Sequence, residues 1–291
     1  MTSQSSPLTL TGHFASLAPR YDVVLSDIWG IVHNGVAAWP LACEALTQFR
    51  AQGGTVVLIS NAPRPSAEVI HFLDHLKVPR TAFDGIVTSG DVTRAVVADR
   101  PGQTIFHIGP ERDLGIFKGL DVAFAPAESA DYVVCTGPFN DDVETPDDYR
   151  DLLGQLRTRN MFMVCGNPDL VVERGTRLIY CGGAIADLYH TMGGDVLYAG
   201  KPYAPIYEQA LAEARKLRGK DTPLPRVLAI GDSVRTDVKG ADAQGLDCLF
   251  VTAGIHAEEL GDRDEPDLAN LERIFATAGT RAMAVTRALV W

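Results

Sequence analysis

The chain is short of the features that mark several classes of protein. Its five cysteines, Cys43, Cys135, Cys165, Cys181 and Cys248, are scattered and form no CxxC pair, which argues against both a disulfide framework and a zinc knuckle. Lys and Arg number 26 against 37 Asp and Glu, giving a formal net charge of −11 with no basic cluster. A broad nucleic-acid surface is therefore not expected, because phosphate contacts need grouped cations. No apolar run approaches the ~20 residues that cross a bilayer, so no membrane partner is expected. The opening stretch "MTSQSSPLTLTGHF" has no basic segment followed by an apolar one, so no leader peptide is expected. A cytoplasmic chain with reduced thiols follows as the expectation.

What is present is an ordinary globular composition. The 291 residues are 46% hydrophobic and 22% charged, enough for one large or two smaller domains with a substantial core. Short β-branched runs alternate with helix-period segments. "YDVVLS" precedes a segment with Ala42, Ala45, Leu46 and Phe49 on one helical face, closed by Gly53-Gly54. "TVVLIS" at 55–60 is continuous rather than alternating, as expected for a strand buried on both faces. A helix over about 65–76, a strand in "FDGIVTS" and another helix follow. This order predicts an α/β fold with a Rossmann-like parallel sheet and helices on both faces.

"RPGQ" at 100–103 interrupts the pattern. Beyond it, "TIFHIG", "DVAFA", "DYVVCTG" and "MFMVCGN" read as strands. "TPDDYRDLLGQL" reads as a helix capped by Thr145, with Pro146 in its first turn. "CGGAIADLYHTM" is a turn into a further helix. A region with its own strands and helices is expected to be an inserted α/β cap domain, 101–197, leaving a core of 1–100 and 198–291. "RVLAIGDS" and "DCLFVTAG" are later core strands.

Four polar positions follow apolar runs. Asp27 ends the first strand, where ligands of open α/β sheets bind; a carboxylate there can hold a cation or act as a nucleophile. Ser60-Asn61 ends the second and can donate to phosphate oxygens. Lys201, in "AGKP", can neutralise an anion. Asp232 and Asp237, in "GDSVRTD", supply the oxygen ligands that Mg²⁺ requires. Each alone has an ordinary use, as a helix cap, a turn former or a surface cation; their order along one sheet is what combines them.

That order resembles the haloacid dehalogenase superfamily, and within it the class IIA branch of sugar-phosphate and pyridoxal-phosphate phosphatases. "SNAP", "AGKP" and "GDSVRTD" resemble its second, third and fourth motifs, and "GNPD" (166–169) resembles a cap motif. The resemblance covers nearly the whole chain. It implies a Mg²⁺-dependent hydrolase of small phosphorylated metabolites, with Asp27 as the nucleophile that forms an aspartyl-phosphate. Mg²⁺ would be held by Asp27, the backbone carbonyl of Trp29 and Asp232, with Asp237 behind them. Ser60 and Lys201 would act on the phosphoryl group, and Asn61, Asn167 and Asp169 would lie on the substrate side. Related proteins often dimerise through the cap, which makes a homodimer an expectation here.

One position departs from the pattern. Family phosphatases usually carry a second Asp where this chain has Trp29, and indole can neither give up a proton to a leaving oxygen nor take one from water. Proton transfer contributes about 10²–10⁴-fold. Three readings follow: a slow or specialised phosphatase, with His33 as a replacement proton carrier; a module that binds a phosphorylated ligand with little turnover; and a dehalogenase-like hydrolase, whose halide leaves unprotonated.

Overall fold

The computed structural model describes residues 9–174, 177–254 and 267–291. Residues 1–8, part of the stretch read above for a leader, lie outside the described residues. In chain order the regular elements are β1 (Val23–Asp27), α1 (Pro40–Ala51), β2 (Thr55–Ser60), α2 (Ser66–His75), β3 (Gly85–Thr88) and α3 (Ser89–Ala98). Next come β4 (Thr104–Ile108), β5 (Ala123–Phe124), β6 (Tyr132–Cys135), α4 (Arg150–Thr158), β7 (Phe162–Cys165), β8 (Val171–Arg174), β9 (Arg177–Tyr180), α5 (Gly182–Thr191) and β10 (Asp195–Tyr198). The chain closes with α6 (Ala204–Arg218), β11 (Val227–Gly231), α7 (Lys239–Ala243), β12 (Asp247–Val251), α8 (Leu268–Ala278) and β13 (Ala284–Thr286).

Two compact units result. The first gathers Met1–Ile59, Ile70–Ile86 and Tyr207–Trp291; the second gathers Ser60–Val69 and Val87–Ile206. The first carries a six-stranded sheet in the order β13-β12-β11-β1-β2-β3. Its β1–β2, β1–β11, β11–β12 and β12–β13 pairs are parallel, as the alternating order predicts. The continuous apolar runs are buried: Val23, Val24 and Leu25 of β1 and Val56, Val57 and Leu58 of β2 are each fully inaccessible. The chain winds outward from β1 through β2 and β3, then returns to β11 on the other side of β1 and winds outward again. The winding direction thus reverses between β1 and β11, and a crevice opens at the carboxyl ends of strands at such a point.

The second unit holds a five-stranded sheet, β10-β7-β6-β4-β5, whose neighbours are all parallel, and the antiparallel β8–β9 hairpin. The segment "DVLYAGKP" leads out of this sheet, with "DVLY" as its edge strand β10. Thr145 closes a reciprocal cap with Asp148 over a short 3₁₀ turn, and α4 continues from it. Tyr149, Leu153 and Leu156 are buried in one core with Val133, Met163, Ile185 and Tyr189, and Leu152 packs at its edge. The Tyr189 hydroxyl donates to the Met161 carbonyl at 2.6 Å, so this large ring is buried without an unmet polar group.

All five cysteines are buried, and none forms a disulfide. Among the described residues no helix is long and apolar enough to cross a membrane. Truncating Leu153, fully buried in the second unit's core, removes methyl groups that neighbours cannot replace. Leu153→Ala should lower stability by about 2–5 kcal/mol, while Leu178→Ala, 68% exposed on β9, should change it by less than about 0.5 kcal/mol. Denaturant unfolding of both variants checks the difference.

Candidate active site

Asp27 is the last residue of β1, and register places it level with the end of β11, since Ser26 pairs with Ile230. Asp232 follows β11 directly. Asp237 returns to the same place through a wide turn of π-helical form, Val234–Val238. Carboxylate oxygens of Asp27, Asp232 and Asp237 all lie within 4.8 Å of one another. Asp232 and Asp237 are 4% and 2% exposed, and Asp27 is 9% exposed. Three nearly buried anions at that separation repel strongly. A set made only of oxygen donors suits a hard divalent cation of the Mg²⁺ type, which would cancel the repulsion.

Missing side chains make the room. A Cβ on Gly30 would lie 2.1 Å from Asp232 Oδ2, one on Gly254 2.0 Å from the same oxygen, and one on Gly231 2.1 Å from Asp237 Cγ. Gly30 also has φ of +80°, a turn that a side chain would oppose. Main-chain donors set the carboxylates. The Ile28 N–H donates to Asp27 Oδ1 at 2.7 Å, and the Ser233 N–H to Asp237 Oδ2 at 3.1 Å.

The loop after Asp27 folds back on itself. Gly30 N–H donates to the His33 carbonyl at 2.9 Å, Val32 N–H to the Ile28 carbonyl at 2.8 Å, and Trp39 N–H to the Val32 carbonyl at 2.8 Å. Trp29 is 47% exposed. His33 is buried; its Nδ1 accepts the Gly35 N–H at 2.9 Å, and its ring stands edge-on to Trp29 and to Phe72. Burial pulls its pKa down to about 4, so the neutral ring with its proton on Nε2 is favoured.

The second group of expected residues converges in the second unit. The Asn61 side chain grips the main chain of Lys201 at both ends: Oδ1 accepts the Lys201 N–H at 2.7 Å, and Nδ2 donates to the Lys201 carbonyl at 3.0 Å. The same Nδ2 donates to Asp169 Oδ1 at 2.9 Å. Asn167 Oδ1 accepts the Asp169 N–H at 3.3 Å, a local turn within "GNPD". Lys201 is 2% exposed. Ser60 Oγ accepts the Ala62 N–H at 3.2 Å.

The expected residues thus form two clusters. One holds Asp27, Asp232 and Asp237, with Trp29 and His33 on the adjoining loop. The other holds Asn61, Lys201, Asn167 and Asp169. Asp237, expected behind the metal ligands, has an oxygen among them. His71 and His75, spaced i, i+4, stay exposed on α2. Gly183, in the Gly182-Gly183 pair that opens α5, has its N–H occupied by the Asp169 carbonyl at 3.1 Å. Sequence reasoning assigned no steric role to Gly30, Gly231 and Gly254. The signal was there in glycines adjoining Asp232 and at the end of the strand run "DCLFVTAG", but only the fold shows which carboxylate each admits.

Comparisons with known proteins place this chain in a family. A model described as haloacid dehalogenase-like hydrolase matches residues 24–123, and one described as HAD-hydrolase-like matches 198–272. The solved structure of a haloacid dehalogenase-like family hydrolase from Brucella suis 1330 is 46% identical; the match covers 97% of this chain and 100% of that one, with a TM-score of 0.84. The chain belongs to the haloacid dehalogenase-like family of hydrolases. D-glycerol 3-phosphate phosphatase from Mycobacterium tuberculosis is 26% identical over 264 residues, 83% of this chain and 66% of that protein. The match thus spans just under two thirds of that relative's length. A possible sugar phosphatase of the same superfamily from Cytophaga hutchinsonii is 19% identical with a TM-score of 0.74, over 98% of this chain and 99% of that one, a likeness of fold.

Two measurements test this geometry. Gly254→Ala puts a methyl group into Asp232 and should weaken Mg²⁺ binding by about tenfold or more, read by calorimetric titration, with the circular dichroism spectrum retained. The His33 pKa is lower folded than unfolded, so the unfolded chain takes up the proton first. Stability should therefore fall as pH drops from about 6.5 to about 4. His33→Asn removes this contribution, and thermal unfolding should show the native chain losing more stability than the variant across that window.

Proposed function

We propose that the chain is a Mg²⁺-dependent phosphatase of small phosphorylated metabolites that works through an aspartyl-phosphate on Asp27. The observation that carries this reading is the convergence of Asp27, Asp232 and Asp237 at the reversal point of a parallel sheet. The phosphatase named among the relatives supports the substrate class. Asp27, Asp232, Asp237 and the Trp29 carbonyl are the groups to hold Mg²⁺. The bound ion supplies positive charge that lets a carboxylate approach a phosphate dianion.

In this reading an Asp27 carboxylate oxygen attacks phosphorus and the bond from phosphorus to the alcohol oxygen breaks. Water then attacks the same phosphorus, the bond to Asp27 breaks, and inorganic phosphate leaves. Lys201 and Ser60 serve the phosphoryl oxygens, where charge accumulates. Asn61 sets the Lys201 backbone, and Asn167 and Asp169 face the substrate from the inserted domain, taken as 101–197. The chain's buried thiols, none of them in a disulfide, suit the reducing cytoplasm.

The leaving oxygen's proton is the weak step. The engaged Nδ1 and low pKa of His33 weigh against its acting as the acid, and we assign it to holding the loop. Trp29 offers no proton. This favours a slow or specialised phosphatase; a binding module with little turnover is the second reading, and the same missing acid supports it.

Asp27→Asn should lower Mg²⁺-dependent hydrolysis of a generic phosphate ester by roughly 10³-fold or more in kcat; retention of full activity would overturn the nucleophile assignment. Trp29→Asp should raise kcat on alkyl phosphates by about 10²-fold, measured as phosphate release. An unchanged rate would place proton transfer on another group.

A further inference from the structure

The Trp29 indole is half exposed, as a loop tryptophan often is, but it is also held in place. Its Cη2 and Cζ3 lie over Gly35, where an added Cβ would stand 2.3 Å from Cη2. Gly35 has φ of +85°, a conformation that glycine accepts readily. The indole meets the His33 ring edge-on with centroids 5.3 Å apart, and His33 in turn meets Phe72 edge-on at 5.5 Å. His33 is fixed from below by the Gly35 N–H. On the other side of Trp29, Gly30 abuts Asp232. The aromatic row therefore starts two residues from Asp27, is joined by two edge-on contacts with Gly35 packed against its first ring, and still leaves 47% of Trp29 and 38% of Phe72 accessible.

A ring that served only packing would be covered; a ring that served only solubility would not be braced. We infer that Trp29 is a specificity platform, and that the preferred substrates are phosphate monoesters whose alcohol portion carries a flat, apolar group that lies against the indole. The inference rests on the phosphatase reading, since it supposes that phosphorus is presented to Asp27. Physically it needs only that a braced, partly exposed aromatic residue, two positions from the reacting carboxylate in the chain, gains by covering itself with another flat apolar face. A small polyol phosphate leaves that face in water.

The test compares benzyl phosphate with ethyl phosphate, two esters of primary alcohols that make similar demands on proton transfer. With Mg²⁺ present, the native chain should favour benzyl phosphate in kcat/KM by about tenfold or more. Trp29→Ala should remove most of that preference, while Trp29→Phe, which keeps a flat ring, should retain much of it. Thermal unfolding of each variant establishes that it is folded. Equal or better use of ethyl phosphate by the native chain overturns the inference, as does a benzyl preference that survives in folded Trp29→Ala. If neither ester is hydrolysed, the phosphatase reading fails separately and binding decides the platform. Calorimetry should then show benzylphosphonate binding more tightly than ethylphosphonate to the native chain and equally to Trp29→Ala; equal binding to the native chain overturns the platform.

Discussion

Three carboxylates held within 4.8 Å of one another set the terms for the first unit. Such a group stores repulsion that folding must offset elsewhere, and burial makes the repulsion worse by removing water. The sheet supplies two of the three by register: parallel pairing of β1 and β11 puts Asp27 and Asp232 at one edge whatever the loops do. The third needs the wide turn through Val234–Val238. Glycine at 30, 231 and 254 is then a steric requirement, since any side chain there would occupy space already filled by carboxylate. A divalent cation held among these oxygens would offset that repulsion, which would couple the fold of this edge to the ion.

The second unit uses a neutral device. Asn61 accepts from and donates to the backbone of Lys201, 140 residues further on, and reaches Asp169 as well. A primary amide is suited to this, having an acceptor and two donors in one plane. Gly200 must be bare because a Cβ there would come within 2.4 Å of Asn61 Oδ1. The buried Lys201 thus has its main chain fixed by hydrogen bonds that do not compete with its ammonium group.

At position 29 the main chain and the side chain are set by different constraints. An aspartate and a tryptophan there can both leave their carbonyl oxygen in place, because main-chain direction is set by Gly30 and by the hydrogen bonds of the following loop. The side chain is then free to differ. Tryptophan presents a large apolar face, and the loop packs against it: a side chain on Gly35 would run into its ring, and His33 stands edge-on to it.

Much of this was legible along the chain. Continuous apolar runs such as "TVVLIS" identify strands buried on both faces, and helix-period runs between them require a parallel sheet. Motif order placed Asp27, Asp232 and Asp237 in one site, because carboxyl ends of parallel strands share an edge. Other features were not legible. The β8–β9 hairpin has strands of only four residues, too short for a clear alternating pattern, and the grouping of residues 60–69 and 87–100 with the second unit's sheet depends on contacts far apart in the chain. His33 looked like a proton carrier by its distance from Asp27 alone; its burial, its engaged Nδ1 and its lowered pKa come from Gly35, Trp29 and Phe72 meeting around it. By itself the sequence determined which residue types stand at strand ends, and hence the kind of chemistry available. Tertiary structure alone decided which carboxylate each glycine admits, that Asn61 clamps Lys201, and that Trp29 is braced yet exposed, because close approach between distant segments is a property of packing and leaves no periodic trace in the chain.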